Sequence, residues 1–336
     1  MKNLKLALLT YLALSLASSA MAQHQHAFIW SSATGMTDLG TLGGDSSYAL
    51  NVNDSGQVVG YSFLADNITY HAFTWTASGG MVDLGSLPGG TLTQAWAINS
   101  AGDITGQGRD ANGVQVPFYW SPSGGFVALA ENVGNSLNYG FGINDNSEVT
   151  GQRYTGEVVH AYFWAPLLGT YRTIGKLPGG LSSVGCDINN ARQITGTAST
   201  SDDKYDAFVW SKAVGMRDIA RIAGGGYTSG RSINDNGEVT GFGFDGAGNY
   251  IGFYWNKSVG NKLLLTLGGV QSGGFGINES GVFTGYSTNA AGNFHAVTWA
   301  SYSSPPQDLG TLPGGTQSYG QAINSSGQVV GYADVP

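Results

Sequence analysis

The groups able to do chemistry are few, and they fall in rows. His26, His71, His160 and His295 are the side chains best suited to proton transfer or metal ligation, and each stands four residues before a tryptophan. Copies at one position of a repeating unit are spread around a fold, too far apart to converge on one tetrahedral ion. Asp38, Asp83, Asp218 and Asp308 recur at the head of a second motif, typified by DLGTLGG. A carboxylate there is expected to accept backbone N–H groups of its own turn. Asp54, Asp145 and Glu279 lie in Asn-x-x-Gly-type turns but lack the dense alternation of acidic ligands in a calcium loop. Paired glycines such as Gly43-Gly44 would cradle phosphate only ahead of a helix, and no helical pattern follows them. No Ser-His-Asp spacing, His-Glu-x-x-His run or pair of catalytic carboxylates stands out. The expectation is therefore no catalytic residue, no metal and no cofactor.

What varies between copies is more informative. Positions alike in every unit serve the scaffold, whereas a variable position at a regular place is free to serve a ligand. One such row lies two residues before a recurring Ile or Val: Leu50, Trp96, Phe141, Cys186, Arg231, Phe275 and Gln321. Two residues earlier lie Tyr48, Gln94, Tyr139, Val184, Ser229, Gly273 and Tyr319. Trp96 is the one tryptophan outside the repeating position; an aromatic platform suits a sugar ring or a partner's apolar groups, and equally suits packing between units. Arg231 stands where most units carry an apolar residue, placed to pair with Asp187 or to meet an anionic ligand. Cys186 is expected to be a small buried apolar group. The candidate binding set is Trp96, Arg231, Asp187, Tyr48, Tyr139, Tyr319, Phe141, Phe275 and Asp45. Loop residues Arg109, Asp110, Arg153, Asp202, Asp203, Lys204 and Asp245 are expected to rim the same face.

These rows need elements to hold them. Trp30, Trp75, Trp120, Trp164, Trp210, Trp255 and Trp299 recur every 44 to 46 residues, and so do Asn53, Asn99, Asn144, Asn189, Asn234, Asn278 and Asn324. Two markers in one register signify a solenoid, a propeller or an array. Each unit offers four short alternating or β-branched runs bounded by Gly, Asn, Asp and Ser, which read as strands. With Gly at 54 of 336 residues, helical repeats are disfavoured, each glycine costing a helix about 1 kcal/mol. Four strands of about six residues with four connections of about five match a four-stranded propeller blade. The chain begins with a unit's third and fourth strands (from His26) and ends with its first and second (from Tyr319). The two halves make a seventh blade. The expectation is an all-β, seven-bladed propeller of antiparallel blades, closed two strands plus two. Each repeating tryptophan is expected to bury about 200 Å² between blades, about 5 kcal/mol gross at ~25 cal/mol/Å². Ser147 and Arg192 replace the turn glycine, so those two turns are expected to be strained or remodelled.

Residues 1–22 resemble an export leader: Lys2 and Lys5, an apolar run from Leu6 to Ala17, then Ala20-Met21-Ala22 as a cleavage site. The run is short for a membrane span. The propeller domain is then 23–336, exported and expected to be soluble. With Cys186 alone, no internal disulfide is available. The net charge of −8 and the lack of any basic run exclude nucleic acid as a partner.

The three motifs HAFxW, DLGTLGG and AINxxGxVVG, in register from residue 26 to 332, resemble the bacterial "probable extracellular repeat, HAF family" proteins. That resemblance implies an exported repeat protein and brings no catalytic residues. Pro117 replaces the usual Ala of the HAF strand, and the DLG segment is lost in Val127–Val133 and shortened at Leu265–Gly269. The functional expectation is a non-catalytic binding or interaction module. It would meet an extracellular carbohydrate or surface protein through the central-channel face, and act as a monomer. A structural role at the surface or in a matrix, and a glycosidase or lyase acting on polysaccharide, are the alternatives.

Overall fold

In a computed structural model of the chain, residues 24–129 and 138–336 are described. Residues 1–22, expected to be an export leader, lie outside them, as does part of the Val127–Val133 segment. Twenty-eight strands, numbered in chain order, form seven four-stranded antiparallel sheets among the described residues. Blade 1 is a meander of β3 (Gly43–Val52), β4 (Val58–Leu64), β5 (Tyr70–Thr76) and β6 (Gly80–Gly85). Blades 2 to 6 repeat it over residues 93–308. Blade 7 is assembled from both ends: β1 (His24–Ser31) and β2 (Gly35–Asp38) join β27 (Ser318–Ile323) and β28 (Val329–Val335). β1 pairs with β28 from His24↔Val335 to Trp30↔Val329. The first strand of each blade touches the first strands of both neighbours, and β3 touches β27, so the ring is closed. This is a seven-bladed β-propeller, closed two plus two as expected.

The repeating asparagine explains how the blades are joined. Its Oδ1 accepts the N–H four residues on, from Gln57 (3.0 Å) round to Gln328 (2.9 Å), and so fixes the hairpin between first and second strands. Its Nδ2 then donates to the backbone carbonyl of the same asparagine in the next blade. Asn53 reaches Asn99 (3.1 Å), Asn99 reaches Asn144 (3.1 Å) and Asn144 reaches Asn189 (3.0 Å). Asn189 reaches Asn234 (2.9 Å), Asn234 reaches Asn278 (3.0 Å) and Asn278 reaches Asn324 (3.0 Å). Asn324 returns to Asn53 (3.1 Å). All seven are buried.

The turns at Ser147 and Arg192 keep the common shape, with φ at 57° and 60° in the left-handed region that glycine otherwise supplies. They are strained, not remodelled. Each side chain does what glycine cannot: Ser147 Oγ donates to Asp103 on the preceding blade (2.6 Å), and Arg192 Nη2 grips Glu148 (2.7 Å).

The tryptophans are not the deep core that the sequence suggested. Trp30, Trp75, Trp120, Trp210 and Trp255 are part-exposed, while the phenylalanine two residues earlier (Phe28, Phe73, Phe118, Phe208, Phe253) is fully buried. Alternation puts both on one side of the strand, but the tryptophan sits nearer the blade end and meets solvent. Trp164 and Trp299 are buried, and each is followed by a longer connection than its fellows, 165–171 and 300–306.

A second seam contact follows a sequence rule. Where the second strand carries threonine (Thr105, Thr150, Thr195, Thr240, Thr284), its hydroxyl donates to a third-strand carbonyl at 2.7 to 3.0 Å. The residue facing it on the next blade is then glycine, where an added Cβ would lie 2.0 to 2.5 Å from the hydroxyl. Where it carries valine (Val59, Val330), the facing residue is alanine, Ala95 or Ala49. Gly230→Ala should therefore destabilise by about 1–3 kcal/mol through overpacking on Thr195. Adding Thr195→Val should recover part of that loss in a denaturant double-mutant cycle; strict additivity would refute the pairing.

Candidate functional site

Every first strand carries a β-bulge at the same place, between Ala49 and Asn51 in blade 1 and at the matching residues of the other six. The extra residue in each is the variable one: Leu50, Trp96, Phe141, Cys186, Arg231, Phe275 and Gln321. A bulge releases its residue from the two-residue alternation and re-aims it. All seven side chains line a central cavity of about 70 Å³, together with Asn51, Asp187, Ser232, Gly276 and Ala322. The row chosen for its variability is thus the row at the axis. No sequence signal marked the bulge that puts it there.

The cavity has an aromatic half and a polar half. Trp96 packs edge-on against Phe141 with centroids 5.4 Å apart; Phe141 in turn stacks at 5.3 Å on Tyr139, a candidate residue that does not itself line the cavity. The Trp96 indole Nε1 is buried without a hydrogen-bond partner. Across the axis the Arg231 guanidinium lies over the Phe275 ring, 5.4 Å from its centroid. Asp187 is not held by Arg231 in an ion pair. Its Oδ2 accepts from the Ile233 N–H (3.0 Å) and the Ser232 hydroxyl (3.0 Å), and its Oδ1 from the Ile188 N–H (2.8 Å). Burial pushes its carboxyl up to about 6, against the lowering effect of those donors and of Arg231. Cys186 is buried beside Ser229, with its thiol pushed up by burial, an unreactive state.

The rest of the candidate set is not brought to the cavity. Tyr48 and Tyr319 belong to a belt of packed rings between blades, Tyr48 edge-on to Tyr332 and Tyr319 stacked on it, each with centroids 5.1 Å away. Asp45 is exposed and bonded to Asn67 (2.6 Å). Of the loop residues, Asp110 and Asp245 cap their own turns, and Asp202 accepts Arg221 (3.2 Å).

The histidine row has a structural use. His26, His71 and His295 place Nδ1 at 2.8, 2.9 and 2.8 Å from Asp38, Asp83 and Asp308. Each aspartate also accepts the N–H two residues on, as expected of the turn. In blade 4 the motif is rewritten: Asp206 stands at the histidine position and is bonded by Arg221 Nε (3.0 Å). His160 keeps no such partner, and burial with nearby Lys176 lowers its basicity. Among the described residues, no group of three or more His, Cys, Asp or Glu is placed to hold a metal ion.

The sequence did not indicate a second, larger cleft at the seam of blades 5 and 6, walled by Glu238, Tyr254, Glu279 and Tyr302. Its only signal was the long Ser-Pro-rich connection after Trp299.

No family model matches the chain, and no curated protein matches its sequence. Solved structures match its fold. An oligogalacturonate lyase from Vibrio parahaemolyticus is 10% identical with a TM-score of 0.56, over 95% of this chain and 99% of that one. A TolB-like protein from Agrobacterium tumefaciens is 11% identical with a TM-score of 0.55, over 94% of this chain and 100% of that one. TolB from Acinetobacter baumannii is 8% identical with a TM-score of 0.52, over 86% of this chain and 63% of that one. At these identities the likeness shows a shared propeller fold and nothing finer.

The state of Asp187 is testable by linkage. A free carboxyl titrates at about 3.9, so a value raised to about 6 means the folded chain holds this proton more tightly than the unfolded one. Its contribution to stability is fully present below about pH 4 and is lost as pH rises through about 6. Relative to Asp187→Asn, the wild type should lose about 1–3 kcal/mol between pH 4 and 6.5 in thermal unfolding. Parallel pH profiles would contradict this.

Proposed function

We propose that the chain is an exported, non-catalytic binding module that recognises an extracellular carbohydrate or a surface protein through the channel face of its propeller. The observation that carries this reading is a repeated geometry holding unrepeated chemistry. Seven copies of one bulge aim Leu50, Trp96, Phe141, Cys186, Arg231, Phe275 and Gln321 at the axis, while the asparagine three residues on never changes. A scaffold contact would favour sameness; a ligand contact favours difference. The cavity is far below the about 300–1,000 Å³ of small-molecule pockets, so it suits one projecting group of a ligand lying across the face. Its lining has one carboxylate, Asp187, already engaged by three donors, which weighs against the two-carboxylate chemistry of glycoside hydrolysis. Export rests on the leader and on the resemblance to extracellular HAF-type repeats. A structural surface role draws some support from exposed Val82, Val127 and Leu263 on outer strands.

A glycan array probed with the wild type and with Trp96→Ala tests the carbohydrate reading. The expected result is a set of glycans whose signal falls at least ten-fold in the variant. No signal, or equal signals from both proteins, would remove sugar recognition by the channel.

A further inference from the structure

The cleft at the seam of blades 5 and 6 has a volume of about 310 Å³, within the range of about 300–1,000 Å³ typical of small-molecule sites. Its walls are aromatic rings and hydrogen-bonding groups, with no Lys, Arg or His among them. Tyr302 lies parallel to Tyr254, their centroids 5.4 Å apart at 22°, and Tyr254 lies on Phe283 at 5.7 Å and 26°. Tyr254 and Phe283 are buried, so Tyr302 is the ring that an incoming ligand meets. The stack is anchored from below: the Tyr254 hydroxyl donates to Glu238 Oε1 (2.6 Å), and Glu238 Oε2 accepts the amide of Asn234 (2.8 Å), a member of the asparagine relay.

Elsewhere in the lining there is unused hydrogen-bonding capacity. Both oxygens of Glu279 share one backbone donor, the Asp235 N–H, at 3.2 and 3.1 Å. Partial burial, and then the neighbouring carboxylates of Asp235, Asp54 and Glu238, push its carboxyl up. Asn236 beside it donates only a long bond to the Glu279 carbonyl (3.3 Å).

The cleft has a partial counterpart at the seam of blades 2 and 3, where Tyr119 stands at the Tyr254 position and a longer connection, 165–171, follows Trp164; Leu167 stands there in the place of Tyr302, so the exposed ring belongs to the seam of blades 5 and 6. An aromatic face in one cleft with carboxylate and amide groups, with no cation to attract an anion, matches a ring that is apolar on its faces and rimmed by hydroxyls.

We propose that this cleft is a carbohydrate subsite for one uncharged sugar residue, lying against Tyr302 with its hydroxyls bonded to Glu279 and Asn236. It is separate from the channel reading and does not rest on it.

The test is saturation-transfer NMR on the whole exported chain, with methyl glycosides of glucose, galactose, mannose and fucose as probes and tetramethylammonium as a cation control. The expected result is binding of at least one glycoside that weakens ten-fold or more in Tyr302→Ala and Glu279→Gln, persists in Tyr302→Phe, and is unchanged in Trp96→Ala. Loss in Trp96→Ala with retention in Tyr302→Ala would overturn the seam site and favour the channel. Binding of tetramethylammonium alone would overturn the sugar in favour of an organic cation. Absence of any glycoside signal would also overturn the proposal.

Discussion

One buried amide group, repeated seven times, joins each blade to the next. The asparagine at the first hairpin spends its carbonyl on its own turn and its amide on its neighbour's backbone. A buried hydrogen bond contributes about 1 kcal/mol net, but a buried group left unpaired costs about 1–3 kcal/mol. The relay is therefore worth most as a closed set, since an open ring strands a donor at one end and a carbonyl at the other. Asn324 closes it on Asn53, and the pairing of β1 with β28 closes it again in the sheet. With no disulfide available, these contacts and the phenylalanine cores must hold the wheel.

That constraint separates two kinds of position. Close to the relay, chemistry is fixed: the glycine or left-handed residue of the turn, the threonine facing glycine and the valine facing alanine all answer to the blade spacing. At the bulge, the backbone leaves the ladder and the side chain answers to nothing but the axis. The same division appears at the seam of blades 5 and 6, where one longer connection lays Tyr302 over Tyr254 while the relay beneath it is unaltered. Individual character is added to this propeller at places where the repeated bonds do not reach.

The sequence revealed the repeat, the blade count, the two-plus-two closure and the axial row, because each leaves a mark at a fixed period. Difference between copies identified Trp96, Arg231 and Phe275 as axial. It failed for Tyr48, Tyr139 and Tyr319 because their row precedes the bulge, where alternation turns the rings into packing, and for Asp45 because it lies further back still, exposed and bonded to Asn67. The asparagine was legible as a turn residue but not as a bridge, since its partner lies a whole repeat away. The tryptophans were overvalued because alternation tells which side of a strand a residue faces but not how near the blade end it lies. The cleft at Tyr302 was missed because it joins residues of two blades, and only the long Ser-Pro-rich connection after Trp299 set it apart in the sequence.

The closed ring can be examined most directly by native-state hydrogen exchange across all blades. If the two ends of the chain complete one sheet, the amides of β1 and β28 should open with the same free energy as those of the central strands at 194–199 and 205–211. Rapid exchange of β1, as a frayed end independent of the other blades, would contradict the closure on which the rest of this account depends.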